Sequence, residues 1–220
     1  MFNHVDLDLT PLEREHIDGV RYYKIPDEEE LLKLVSITSI TSWINREIFR
    51  AWRAKVGNQE ADKITKAATS RGTDMHTLAE CYLHNRDLPP VQPLSEYLFK
   101  QAKPDLDKID NVHAIETSLY SEKLGIAGTV DCIAEYDGEL SVIDFKTSKY
   151  HKPQYILDKY FLQCTAYAQM WTERFPNEPC NQLVIMLTCE EGGPQIVKAR
   201  RSDYLHQLRT VIGNFYANKK

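Results

Sequence analysis

Two aspartates and a lysine define the chemistry open to this 220-residue chain. Asp131, Asp144 and Lys146 lie in the stretch from Gly128 to Thr147, where Asp137-Gly138 separates two runs of β-branched and apolar residues. Both turn residues accept positive φ, so the stretch is predicted to be a β-hairpin with a two-residue type I′ loop. Counting back from that loop pairs Tyr136 with Glu139, Ile133 with Val142, and Asp131 with Asp144. The aspartates then fall on a non-hydrogen-bonded pair, where side chains come closest, and Lys146 points to the same face. Like charges set opposite each other destabilise a sheet. Val130, Cys132, Ile133, Val142, Ile143 and Phe145 make both faces apolar, which suits a central, covered hairpin. Two carboxylates inside such a hairpin call for a cation, and hard oxygen donors suit Mg²⁺ or Mn²⁺. The alternative, a surface hairpin with two solvated aspartates, fits the apolar faces poorly.

The elements around the hairpin must bring further groups to it. Ser36 to Ser42 is a run of hydroxyl residues opening a helical pattern from Trp43 to Lys55, with Ser39, Thr41 or Ser42 as its N-cap. Hydroxyls and free N–H groups at a helix start also suit a phosphate. From Trp43 to Arg71, basic residues including Arg46, Arg50, Arg53 and Arg71 outnumber the acids, interleaved with Trp43, Phe49 and Trp52. That pattern reads either as a backbone-tracking, base-stacking surface or as an amphipathic helix with an aromatic core. A second helix, about Gln59 to Asn85, carries His76, which pattern alone reads as an ordinary core or surface histidine. A third runs from about Leu94 to Lys108. A strand from His113 to Tyr120 carries Glu116, either close to the carboxylate pair or on the surface. After the hairpin come a helix from Tyr155 to Arg174, strands at 183–188 and 195–199, and a last helix capped by Asp203. In the first of these helices Gln163 and Tyr167 share a face. The expected fold is α/β, a mixed central sheet with helices on both sides and an N-terminal helical region.

Composition narrows the class. At 42% hydrophobic and 27% charged residues the chain has an ordinary globular make-up, and its length suits one domain. Residues 1–35 read as a solvated acidic leader with a short edge strand at 21–25, 36–110 as the helical region, and 111–220 as the sheet-bearing part. The densest acidic run is Asp27 to Glu30. The net charge of −5 argues against indiscriminate coating of nucleic acid, yet leaves room for a localised basic surface. The five cysteines are scattered, which points to reduced thiols and away from an iron–sulfur cluster. No apolar run is long enough to span a membrane, and the N-terminus has the build of neither a signal peptide nor a transit peptide, so a cytoplasmic location is expected.

Four motifs in order carry a resemblance: Arg71-Gly-Thr-Asp-Met-His76, Gly128-Thr-Val-Asp131, Asp144-Phe-Lys146 and Gln163-Cys-Thr-Ala-Tyr167. Together they resemble the PD-(D/E)XK nucleases of the RecB-like branch, and within it the phage exonucleases related to the mitochondrial genome maintenance exonuclease. The resemblance implies a restriction-endonuclease-like core and a Mg²⁺- or Mn²⁺-dependent deoxyribonuclease, an exonuclease preferring single strands or flaps. It implies that Asp131, Asp144 and the Phe145 carbonyl hold the metal, joined by His76, with Glu116 as a supporting acid. Lys146 would orient or activate water, and Gln163 and Tyr167 would position Lys146 or the phosphate. DNA contacts are expected from Ser39, Thr41, Ser42, Arg46, Arg50, Arg53, Arg71 and Lys149. A phage setting, in the host cytoplasm beside recombination or replication proteins, is implied too. A structure-specific endonuclease, an RNA nuclease or a non-catalytic nucleic-acid-binding protein would keep the same fold.

Overall fold

Residues 1–26 and 32–218 are described by the structure, a computed structural model. In chain order the elements are β1 (Glu13–Ile17), β2 (Val20–Ile25), β3 (Leu32–Ser36), α1 (Ile37–Val56), α2 (Asn58–Leu83), α3 (Pro93–Leu106), β4 (Ile109–Ser121), β5 (Ile126–Tyr136), β6 (Glu139–Ser148), α4 (Gln154–Arg174), β7 (Gln182–Cys189), β8 (Gln195–Arg200) and α5 (Arg201–Ala217). The strands join one sheet in the order β1-β2-β3-β5-β6-β7-β8, with β4 lying along β5. Both parallel and antiparallel pairs occur, so the expected mixed α/β architecture is what the chain adopts.

Alternation along the hairpin explains the two-layered core. Ile133 and Val142 face the layer formed by α1, α4 and α5, including Ile37, Phe161, Trp171 and Phe215. Cys132, Ile143 and Phe145 face the layer of α2 and α3, with Met75, Leu78 and Phe99. A strand buried on both faces reads as continuous apolar sequence. The register counted from the turn is observed from Tyr136–Glu139 through Ile133–Val142 to Cys132–Ile143, where the ladder ends one step short of the expected Asp131–Asp144 pair. Asp137 and Gly138 have φ of 52° and 80°.

The edge of β5 opposite β4 is divided between two strands. β6 takes Cys132 to Tyr136, whereas β3 takes Ile126 and Ala127. Residues 128–131 lie between the two ladders, and there β3 and β6 part.

Three expectations change. The segment read as an acidic leader contributes β1, β2 and β3, and residues 21–25, expected at an edge, lie between β1 and β3. The cause is a second hairpin, closed at Asp18-Gly19 with φ of 51° and 77°, which buries Tyr23, Ile25 and Leu34 against Ala127. The Asp27–Glu30 run lies outside the described residues. Helix α1 begins at Ile37, so Ser39, Thr41 and Ser42 sit inside it and none is its N-cap. Thr41 Oγ1 donates to the Thr38 carbonyl and Ser39 Oγ accepts from the Arg21 N–H, uses that compete with capping. Finally, Asp203 is the third residue of α5 and accepts from the Arg200 N–H, instead of occupying the cap itself.

Candidate active site

Where β3 and β6 part, the backbone of Phe145 is left facing a gap instead of a strand. In an antiparallel ladder alternate residues turn their N–H and C=O toward the partner, and Phe145 stands two beyond Ile143, the last residue paired with β5. Side chains take the missing strand's place. Asp131 Oδ2 accepts the Phe145 N–H at 2.9 Å, and His76 Nε2 donates to the Phe145 carbonyl at 2.9 Å. That second bond fixes the ring so that Nδ1 faces Glu116 Oε1 at 3.4 Å and Asp131 Oδ1 at 3.7 Å.

Glu116 reaches this point from β4. The pairs Ile115–Cys132 and Thr117–Val130 place it opposite Asp131. Its φ is 45°, a left-handed conformation that costs a non-glycine residue about 1–3 kcal/mol. His76, Glu116 and Asp131 each offer one ligand atom, all within 4.8 Å of one another.

Asp144 and Lys146 complete the cluster from β6. Lys146 Nζ lies 2.5 Å from Asp144 Oδ2 and above the Tyr160 ring at 5.5 Å. Asp144 is 1% exposed, and its Oδ1 has no hydrogen-bond partner among the described residues. Oδ2 meets the ammonium as an ion pair without hydrogen-bond geometry. A buried polar atom with no partner costs about 1–3 kcal/mol, more when charged. Burial pushes the Asp144 carboxyl up to about 6, against the pull of Lys146 and with the help of Asp131. Burial works against a charge on His76 too, but Glu116, Asp131 and Asp144 outweigh it and carry the ring up to about 8. The Lys146 ammonium is likewise opposed by burial, yet Asp144 and Asp131 hold its pKa above the ordinary lysine value.

This donor set fits a hard divalent cation. It consists of carboxylate oxygens, one imidazole and a carbonyl on the unpaired edge of β6, and beside it lies a buried Asp144 oxygen with no hydrogen-bond partner among the described residues.

Gln163 and Tyr167 come from α4 on the other side of the split. Gln163 Nε2 donates to Tyr167 Oη at 3.0 Å, and Tyr167 is buried beside Gly128. Tyr160 was not anticipated, although it stands three residues before Gln163 on the same helix face. Glu190 was also missed. Its carboxylate accepts from Arg71 Nη1 at 2.5 Å, and no local pattern ties the 190–194 turn to α2.

The remaining expected DNA contacts are dispersed. Ser42 is exposed, whereas Ser39 and Thr41 are half-buried. Arg46 stacks on Trp43 at 4.3 Å, Arg50 pairs with Glu47 and Arg53 with Asp62. Phe49 is 46% exposed and Trp52 half-buried, so these two aromatics are not core. Lys149 lies past the end of β6, 3.9 Å from Glu191.

No protein-family model matches the chain. It is 26% identical over 141 residues to the human protein named Mitochondrial genome maintenance exonuclease 1, covering 59% of this chain and 40% of that one. The Xenopus tropicalis protein of the same name is 34% identical over 119 residues, 51% of this chain and 33% of that one. The chain thus spans well under half the length of the curated relatives it matches. A solved structure from Eubacterium rectale aligns with a TM-score of 0.46 at 12% identity, over 67% of this chain and 68% of that one. Over roughly half its length or more, then, this chain is similar to proteins that carry the name exonuclease.

Proposed function

We propose that the chain is a Mg²⁺- or Mn²⁺-dependent deoxyribonuclease that cuts phosphodiester bonds at the parting of β3 and β6. The observation that carries this reading is the buried, unpartnered Asp144 Oδ1 beside Lys146, next to the gathered ligand atoms of His76, Glu116 and Asp131. These residues, with the Phe145 carbonyl, would hold the cation. When bound, the cation screens the non-bridging phosphate oxygens and lowers the pKa of a water, supplying a nucleophile near neutral pH.

The chain's own groups do the rest. Lys146, held as an ammonium by Asp144 and Asp131, offers positive charge to the phosphate as charge builds on it, and is a poor base. Asp131 keeps the Phe145 N–H turned into the gap, and His76 holds the carbonyl of the same residue, in the next peptide unit. Tyr160 walls one side of the ammonium, and the Gln163–Tyr167 pair fixes the α4 face behind it. Exonuclease action is supported by the names of the relatives. Preference for single strands or flaps, and a phage setting with recombination or replication proteins, follow from the motif resemblance.

The test is digestion of end-labelled single-stranded, duplex, flap and circular DNAs with and without Mg²⁺. Metal-dependent trimming of linear single strands, with circles spared, is expected; cutting of circles would remove the exonuclease reading. Asp144→Ala and Lys146→Ala should each lower the rate at least ~100-fold, the scale of losing one transition-state electrostatic contact. Near-normal rates in either would overturn the site.

A further inference from the structure

The β1–β2 hairpin sorts its charges by face. Glu13 pairs with Lys24, Arg14 with Tyr23, and His16 with Arg21 across it. Alternation therefore puts Glu13, Glu15 and Lys24 on one side and Arg14, His16, Arg21 and Tyr23 on the other. On the first side lysines answer the carboxylates: Lys24 Nζ is 2.8 Å from Glu13 and Lys33 Nζ is 2.7 Å from Glu15. On the second, neither arginine pairs with a carboxylate among the described residues, and Arg21 Nε meets only His16 Nε2, at 3.5 Å. Buried Tyr23 hydrogen-bonds Thr129 Oγ1 at 2.9 Å, so the arginine face is the one turned toward β5.

That face forms a wall of a cleft of about 730 Å³, in which Arg14 and Arg21 stand with Thr73, Thr77 and Ser118 beside His76 and Glu116. Its acids are Glu116, one of the gathered metal donors, and Glu80, 3.9 Å from Arg86. Arg21 also borders a second hollow of about 540 Å³, shared with Ser39 and Ser42 of α1. Two guanidiniums with no carboxylate partner among the described residues, set among hydroxyls next to a metal-type site, match a phosphate oxygen array: the forked donor geometry of arginine suits it and hydroxyls complete it.

We propose that Arg14 and Arg21 hold a backbone phosphate of the nucleic-acid strand adjacent to the one cut. The β1–β2 hairpin then leads that strand from His76 toward the start of α1. This rests on the nuclease reading and adds a binding site to it.

The experiment measures binding of a labelled single-stranded oligonucleotide to the Lys146→Ala protein in Mg²⁺, across a range of salt, with and without Arg14→Gln and Arg21→Gln. Loss of the one phosphate contact that the two arginines share should weaken binding about tenfold and flatten the plot of log affinity against log salt by ~0.7. Arg→Lys at both positions should restore most of the salt slope while recovering affinity only in part. In the otherwise native protein, KM for cleavage should rise about tenfold with kcat falling less than threefold. Circular dichroism checks that the variants fold, and the exposed Arg14→Gln single variant serves if the double one does not. An unchanged slope in a folded variant overturns the inference even if cleavage proceeds. Absence of metal-dependent cleavage in the native protein, with an arginine-dependent slope retained, would instead overturn the nuclease reading and leave this site standing.

Discussion

At the scale of single residues, the cluster gathers charges that shift one another's protonation. His76 carries a raised pKa because three carboxylates surround it, and Asp144 carries one because it is buried. For His76 the protonated ring is the favoured partner in the fold. Its contribution is therefore complete below its ordinary 6.5 and disappears as pH rises through about 8. For Asp144 the neutral acid is favoured, so stability is also lost as pH climbs from 3.8 through about 6. Both effects have the same sign, so the metal-free protein should lose thermal stability between pH 4 and 8.5. The His76 part is on the order of 1 kcal/mol, because the ring is partly open to water. Melting temperatures in chelator at stepped pH should show the decline, with the portion above pH 6.5 missing in His76→Asn. A melting temperature that rose over that interval would contradict the assigned charges.

At the scale of elements, the close approach of α4 to β5 depends on Gly128. A Cβ there would stand 2.7 Å from Tyr167 Cε1 and 3.0 Å from Ile37 Cγ2. Tyr167 would have to move, taking Gln163 with it. Gly128→Ala should therefore destabilise the fold by about 1–3 kcal/mol, the usual cost of overpacking, and slow cleavage as well. Denaturant unfolding and kcat measured together check this; an unchanged rate in a destabilised protein would make the Gln163–Tyr167 pair structural only. The β5–β6 hairpin was legible as far as Cys132–Ile143 because a two-residue turn propagates its register outward without ambiguity, while Asp131 and Asp144 lie one step beyond the ladder, where β3 and β6 part. The equivalent Asp18-Gly19 turn carried the same information, but the charged residues beside it masked the alternation of Tyr23 and Ile25. The position of Glu116 could not be settled from its own strand, since it depends on pairing with β5. Glu190 and the two cleft arginines depend on contacts between distant segments, which local pattern does not encode. The α1 start was misplaced because several hydroxyls in a row compete for the cap, and packing of Ile37 and Ile40 decided it.

At the scale of the whole molecule, ligand binding and folding are coupled. A cation that binds only the folded chain adds about 2.7 kcal/mol at a concentration 100 times its Kd. For a chain of this size that corresponds to a rise in melting temperature of roughly 5–10 °C. Mg²⁺ or Mn²⁺ titrated into chelator-treated protein should produce such a shift, and Asp131→Ala should lose most of it. No shift with either ion would remove the cation from this site. The divided edge of β5 has a further consequence, for the order in which the molecule is made. β3 meets β5 through Val35–Ile126 and Ser36–Ala127, partners roughly ninety residues apart in the chain. At ribosomal rates of about 5–20 residues per second, the first hairpin emerges roughly 5–20 s before the strand that covers Tyr23 and Leu34. Through that interval the Tyr23 side of the hairpin lacks Ala127 and Thr129, the β5 residues that meet it. The cleft is therefore a late product of synthesis, closed only when β5 arrives.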